Sequence, residues 1–420
     1  MRDTALHLDE AVASKIRSDI IDAINPEAAL SMRPEDLEIA VAKVVLDEVS
    51  NLRLFLNSQE QRQLVKEIVD DMVRMGPIQP CMDDPDVTDI LINGVDQILV
   101  EKRGQLIKTP YRFRDAQHLM NFAQRIASFV GRRVDEASPM VDARLADGSR
   151  VNIIIPPLSL NGVCVSIRRF FKTTLSLDEY VRLGSASQKI ADFLKVAAKS
   201  RLNILVSGGT GAGKTTLLNA LSQHISRRER IITIEDAAEL RLDQPFVVRL
   251  ETRPPSVEGK GQVSQRDLLR NALRMRPDRI LVGEVRGEEV VDMLQAMNTG
   301  HDGSLSTVHA NSPEDALLRI ENMVNMGAQA MSGSLIRRQL ASALDLLVQI
   351  ERDAQGQRRI THISEVVPKG DDDVACADIF TYERGLAGGR FIRTSFMPGF
   401  TQKILAAGTY HEFEESLKNV

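Results

Sequence analysis

The segment Ser207-Gly208-Gly209-Thr210-Gly211-Ala212-Gly213-Lys214-Thr215-Thr216 matches the spacing G-x-x-x-x-G-K-[ST]. Ile204-Leu205-Val206 leads into it as a strand, and Thr216-Leu217-Leu218-Asn219-Ala220-Leu221 leads out as a helix. The glycines permit backbone angles that a Cβ forbids, so successive N–H groups turn inward. With the positive end of the following helix they form a nest for phosphate oxygens. Lys214 is placed to reach the β- and γ-phosphates, and the Thr215 hydroxyl to ligate Mg2+. Average residue frequencies give this pattern by chance in about one chain in seventy of this length, so with its flanking strand and helix it is specific. The whole loop, Gly208, Gly209, Thr210, Gly211, Ala212, Gly213, Lys214, Thr215 and Thr216, is read as a nucleotide-phosphate site.

The 420 residues allow two or three domains. A hydrophobic content of 43% and a charged content of 26% are those of an ordinary folded protein. The net charge of −5 and the absence of Trp argue against a basic, aromatic track for nucleic acid. Cys81, Cys164 and Cys376 lie far apart without metal-ligand spacing and read as reduced thiols of a cytoplasmic protein. The opening Met1-Arg2-Asp3-Thr4 is too polar for a signal peptide. No apolar run reaches bilayer length, so a membrane role is expected to be peripheral.

Residues 1–75 read as a helical bundle. Apolar residues recur at helical spacing in Ile16, Ile20, Ile21 and Ile24, then in Ile39, Val41, Val44, Val45 and Leu46. Residues 76–171 change character to α+β. Ile90–Asn93, Gln97–Glu101, Arg150–Ile155 and Val163–Arg168 are strands, with a helix near Ala116–Val130. Arg144, Arg150 and Arg168 sit on or beside these strands. For any single arginine a solvated position is the ordinary reading. The functional one is that some face the phosphates, since a guanidinium pairs with phosphate oxygens in two-pronged fashion and keeps its charge. Residues 172–186, rich in Ser and Thr, read as a linker. Residues 187–420 alternate strand and helix, the α/β pattern of a parallel sheet covered on both faces, and close with further strands.

Acidic residues at strand ends turn phosphate binding toward hydrolysis. Ile231-Ile232-Thr233-Ile234-Glu235-Asp236 delivers two carboxylates to the carboxyl end of a strand, where ligands of parallel sheets gather. One of them can orient and deprotonate water. Arg279-Ile280-Leu281-Val282-Gly283-Glu284 repeats the design, and Glu284 can hold Mg2+ through water. The division of labour between Glu235 and Glu284 stays open. His301 and His309 flank a short strand, and His309, at its end, is the one placed to approach a γ-phosphate.

Four runs in this order support a resemblance: Gly208–Thr216, Ile232–Asp236, Arg274–Gly287, and Thr299–Asn311. They resemble the Walker A, Asp box, Walker B and His box of the type II/IV secretion ATPase superfamily. Arg249-Leu250-Glu251-Thr252-Arg253-Pro254 and Gln295-Ala296-Met297-Asn298-Thr299-Gly300-His301 resemble its tight-adherence (Tad) pilus branch, of the CpaF type. The resemblance covers about residues 76–368 and is weaker beyond them. It implies a RecA-like P-loop (ASCE) domain preceded by a PAS-like domain, and a homohexameric ring binding ATP and Mg2+ at subunit borders. It also implies arginines of the first domain at the γ-phosphate, for which Arg150 and Arg168 match best and Arg144 less well. By the same resemblance Glu235 is the general base, Glu284 the Walker B glutamate, and His301 and His309 members of the His box. The implied role is to power assembly or withdrawal of a thin pilus, or secretion, through inner-membrane platform proteins. Two other readings compete: a nucleic-acid motor on the same core, and a nucleotide-gated scaffold with little hydrolysis.

Overall fold

The computed structural model describes residues 32–102, 104–170, 175–253, 261–327, 331–370, 372–385 and 388–418, and besides these Ile16, Asp19, Ile20, Ile24 and Ala29. The chain divides into two compact units, Met1–Phe171 and Lys172–Val420.

The first unit opens with α1 (Pro34–Asn51) and α2 (Ser58–Val73). Proline at the first position of α1, with Glu35 and Asp36 in its first turn, suits the positive amino end of a helix. A capping box starts α2: the Asn57 side chain accepts the N–H groups of Gln59 and Glu60, and Glu60 accepts that of Asn57. Leu37, Val41 and Val45 of α1 share a core with Leu64, Val65 and Ile68 of α2. Ile16 and Ile20, from the first helix expected in the sequence, belong to this core, while Ile21 lies outside the described residues.

There follow α3 (Gln79–Asp83), β1 (Val87–Asn93), β2 (Ile98–Lys102), β3 (Gln105–Lys108), α4 (Ala116–Phe129), β4 (Met140–Arg144), β5 (Arg150–Ile154) and β6 (Cys164–Arg168). The strands form an antiparallel six-stranded sheet in the order β3-β2-β1-β6-β5-β4. Alternation decides its faces. Val151, Ile153, Val165 and Ile167 point inward against Leu119, Phe122 and Ile126 of α4, and the residues between them point away. Two strands were not anticipated. β3 is exposed along its whole length and so leaves no alternation of apolar residues to read, and β4 carries only one buried residue, Val141.

The second unit contains α5 (Leu177–Arg182), α6 (Gln188–Lys199), β7 (Ile204–Ser207), α7 (Lys214–Ser222), β8 (Ile231–Glu235), β9 (Val247–Glu251), α8 (Gln265–Ala272), β10 (Arg279–Val282), α9 (Glu289–Asn298), β11 (Leu305–Val308), α10 (Pro313–Gly327) and α11 (Gly333–Ala343). It ends with β12 (Leu346–Arg352), β13 (Arg358–Lys369), β14 (Asp373–Gly385), β15 (Gly388–Arg393), α12 (Thr401–Ala406) and α13 (Tyr410–Ser416). The nine-stranded sheet runs β15-β14-β13-β12-β7-β11-β10-β8-β9. From β12 to β9 all pairings are parallel, and β13 to β15 extend the sheet as an antiparallel meander. β7, β8, β10 and β11 are buried on both faces, as strands covered by helices on either side are; β7, β8 and β10 are mainly Ile, Leu and Val, whereas β11 buries Ser306 and Thr307 between Leu305 and Val308. α6 and α7 cover one face, and α9, α10 and α11 the other.

Two segments differ from expectation. Within residues 172–186, read as a linker, α5 forms with a Ser176–Glu179 capping box, and Leu177, Tyr180 and Ala186 are buried in the sheet core. Ser176 marked a helix start rather than a loose chain. Residues 171–174 lie outside the described set. The C-terminal helices were not read from the sequence, because few apolar residues anchor them: Phe400, Ile404 and Phe413 are buried, and Leu417 packs beside them. Phe400 and Phe413 join Phe193 of α6 in an aromatic cluster. Lys199–Glu412 at 3.0 Å and Lys189 Nζ donating to the Glu415 carbonyl fix the tail to its own unit.

Candidate functional site

The parallel strands β7, β11, β10 and β8 lie side by side and point the same way, so the residues that follow them share one edge. That edge carries the loop Gly208–Thr216 after β7, His309 after β11, Glu284 after β10, and Glu235 as the last residue of β8.

The loop is shaped by its glycines. Gly211 and Gly213 have φ of 70° and 101°, the left-handed region that favours glycine. A Cβ on Gly208 would lie 2.3 Å from the Ile350 carbonyl oxygen, so β12 closes the floor beneath it. The Lys214 ammonium turns back into the loop and donates to the Gly208 and Gly209 carbonyls at 3.0 and 3.1 Å. Burial lowers its pKa, and the Glu284 carboxylate opposes that. This set fits a nucleotide phosphate held with Mg2+. The loop backbone and a half-buried cation would hold the phosphates, and the half-buried Thr215 hydroxyl stands at the first turn of α7. Among the described residues no group of three His, Cys, Asp or Glu could hold a metal alone. A Mg2+ ion here would take Thr215, phosphate oxygens and water.

Glu235 is buried, and burial raises its pKa above the ordinary glutamate range. Its Oε2 accepts the N–H groups of Glu239 and Leu240 at 2.6 and 2.9 Å. Its Oε1 is buried with no hydrogen-bond partner, an acceptor waiting for a donor such as water. A Cβ on Gly283 would lie 2.9 Å from Glu235 Cγ, which accounts for glycine just before Glu284. The turn carrying Glu284 is braced by β11: Thr307 Oγ1 donates to the Gly283 carbonyl at 2.7 Å, and Val285 N–H to the Thr307 carbonyl. Arg286, to which the sequence reading gave no role, joins both acidic motifs. It donates to Glu284 at 3.2 Å and stands 3.6 Å from Asp236. Its position two residues after Glu284 was the available signal.

His301 is placed elsewhere. It precedes β11, at the amino edge of the sheet, where the Ser304 hydroxyl donates to its carbonyl and Asn203 accepts from Gly303 and Ser304. A four-residue strand spans roughly 13 Å, so within one chain His301 is not brought to the loop as His309 is. The turn it belongs to is held by Lys403 of α12, bonded to Asp302 and Asp345 at 3.0 and 2.7 Å.

In the first unit the three arginines come together. Arg144 faces Arg150 across β4–β5, Arg150 faces Arg168 across β5–β6, and Arg168 faces Asp89 across β6–β1. They form one cross-strand row on the sheet face opposite α4. Arg168 Nε donates to Asp89 at 3.2 Å. Like charges set directly opposite one another cost stability, and the Asp89 carboxylate offsets this at one end of the row. The Asp147-Gly148-Ser149 turn, centred between Arg144 and Arg150, could have signalled their pairing had β4 been recognised.

Fold and site together define an α/β protein with a glycine-rich phosphate loop at the carboxyl edge of a parallel sheet. A family model described as type II/IV secretion system protein matches residues 71–394, and the chain belongs to that family. It is 38% identical over 323 residues to a putative conjugal transfer protein of Mycobacterium tuberculosis, across 76% of this chain and 91% of that protein. It is 37% identical over 307 residues to the type IV secretion system protein PtlH of Bordetella pertussis, across 67% and 91%. Among solved structures, the VirB11 ATPase of the Brucella suis type IV secretion system is 30% identical across 69% of this chain and 95% of that one, with a TM-score of 0.39. No described helix is long and apolar enough to cross a membrane.

Proposed function

We propose that this chain is an ATPase (ATP and water to ADP and phosphate) and the motor of a secretion or pilus system of the type IV kind, in its Tad branch. The observation that carries this reading is the convergence of the phosphate loop, Glu284, Glu235 and His309 on one sheet edge. The relatives named for conjugal transfer and type IV secretion support the setting. A homohexamer at the cytoplasmic face of the inner membrane, acting on platform proteins, is the assembly proposed. No nucleic-acid substrate is part of it.

In this reading the domains are a helical bundle over 1–75, a PAS-like domain over 76–171, a connecting segment over 172–186 and a RecA-like domain over 187–420. ATP is held by the backbone of Gly208–Thr216 and by Lys214. Mg2+, taken by Thr215 and through water by Glu284, would neutralise charge on the phosphates. Glu235, whose Oε1 has no protein donor, accepts the proton of the attacking water. His309 senses the γ-phosphate in this reading. Arg150 and Arg168, with Arg144 beside them, supply a second grip on the terminal phosphate, one that hydrolysis releases.

The test is phosphate release by the purified full chain with ATP and Mg2+. Turnover is expected in the wild type and a loss of about 100-fold or more in Lys214→Ala, since a cation at the transferring phosphoryl is removed. Equal turnover in the two proteins would refute the site.

A further inference from the structure

The phosphate loop touches more than its own strand and helix. β12 and β13 are joined with a bulge at Thr361, between the pairs Gln349–His362 and Ile350–Ile360. Bulges re-aim the side chains around them. Beyond the bulge, Arg352 and Arg358 stand directly opposite each other at the end of the ladder. Arg358 reaches over the loop. Its Nε donates to the Gly211 carbonyl at 3.0 Å, and a Cβ on Gly213 would meet its Cδ at 3.2 Å. One arginine thus covers both left-handed glycines.

The neighbours of Arg358 hold the segment that follows α5. Gln357 Nε2 donates to the Leu183 carbonyl at 3.1 Å, and Ile360 N–H to the Ser185 carbonyl at 2.9 Å. From the far end of α7, Gln223 Nε2 donates to the Leu175 carbonyl at 3.4 Å. Tyr180 of α5 is buried. Burial pushes its hydroxyl pKa up, and the Arg358 guanidinium pulls it part of the way back, which sets that cation within electrostatic reach of the helix. Residues 357–360 therefore contact the loop on one side and the segment 175–186 on the other. That segment is the first described stretch after the first unit.

We infer that Arg358 is a positioning residue: it fixes the Gly211–Gly213 turn of the phosphate loop and ties the state of that turn to α5. Filling the loop then tightens residues 177–186. The inference rests on nucleotide binding at the loop. An arginine suits the task because it donates to a backbone carbonyl while its charge keeps the guanidinium at the polar edge.

Hydrogen exchange of the full-length chain, with and without a non-hydrolysable ATP analogue and Mg2+, tests it. In the wild type the analogue is expected to slow exchange by about threefold or more in both 208–216 and 177–186. In Arg358→Ala the slowing in 208–216 is expected to persist and that in 177–186 to vanish. Arg358→Lys, which keeps a charged donor, is expected to restore it in part. A merely structural role would raise exchange in 177–186 equally with and without nucleotide. Should Arg358→Ala fail to fold, Arg358→Gln, which keeps an N–H donor without charge, takes its place with the same expected loss. Full nucleotide-dependent slowing of 177–186 in the variant would overturn the inference, as would wild-type slowing confined to the loop. Absence of slowing in 208–216 of the wild type would refute nucleotide binding itself, and the coupling with it.

Discussion

Glu235 shows how one side chain can carry a chemical prediction. One of its oxygens takes two backbone N–H groups, and the other is buried without a partner. Burial raises its pKa, so the folded chain holds this proton to a higher pH than a free glutamate does. A general base works only once deprotonated. The acid limb of turnover is therefore expected above the ordinary glutamate value of about 4.3, and Glu235→Gln is expected to bind nucleotide yet lose about 100-fold in turnover. Phosphate release followed from pH 4.5 to 8 reads both. An acid limb at the ordinary value, or undiminished turnover in the variant, would move the base elsewhere. At this scale much was legible in the sequence. Lys214 closes a glycine-spaced motif, Glu235 and Glu284 each end or follow an apolar strand, and His309 follows a short strand; the carboxyl end of a strand is a position that spacing alone can locate. Arg286 and Arg358 were not legible, because their partners are set by tertiary contact: Arg286 joins Glu284 to Asp236 across neighbouring strand ends, and Arg358 meets a carbonyl 147 positions away in the chain.

Among the elements, α2 carries a cost. Asp70 is buried in the helix, and burial pushes its carboxyl up to about 6, with Arg74 at 3.5 Å opposing weakly. The folded value lies above the unfolded one, so the folded state binds the proton more tightly. Stability is greatest below the unfolded value and falls as pH rises through about 6. Asp70→Asn is expected to gain about 1–2 kcal/mol at pH 8 and little at pH 4. The urea midpoint of the first unfolding transition, compared at the two pH values, measures it, and an equal gain at both would argue against titration. The helices and strands that escaped the sequence reading share a physical reason. β3 is exposed on both faces, α12 and α13 are anchored by few apolar side chains, and α5 is too short for its period to register. Buried parallel strands, by contrast, announce themselves as runs of Ile, Leu and Val. Register is a further step that composition does not encode: the sequence supplied three arginines, and only the pairing of β4, β5, β6 and β1 set them in a row ending on Asp89.

For the whole molecule, the proposal is that two units hold one terminal phosphate, the second through its loop and the first through its arginine row. Each half stands on its own geometry. The loop encloses a lysine bonded to its carbonyls, and the row sets three guanidinium-bearing residues on neighbouring strands of one sheet face. Under this proposal, release of that grip would convert cleavage of a bond into movement. The most direct measurement is phosphate release by the Arg150→Ala/Arg168→Ala double variant at saturating ATP, with nucleotide binding followed alongside. Binding through the intact loop is expected to persist while turnover falls by about 100-fold, and turnover equal to that of the wild type would contradict the two-unit grip.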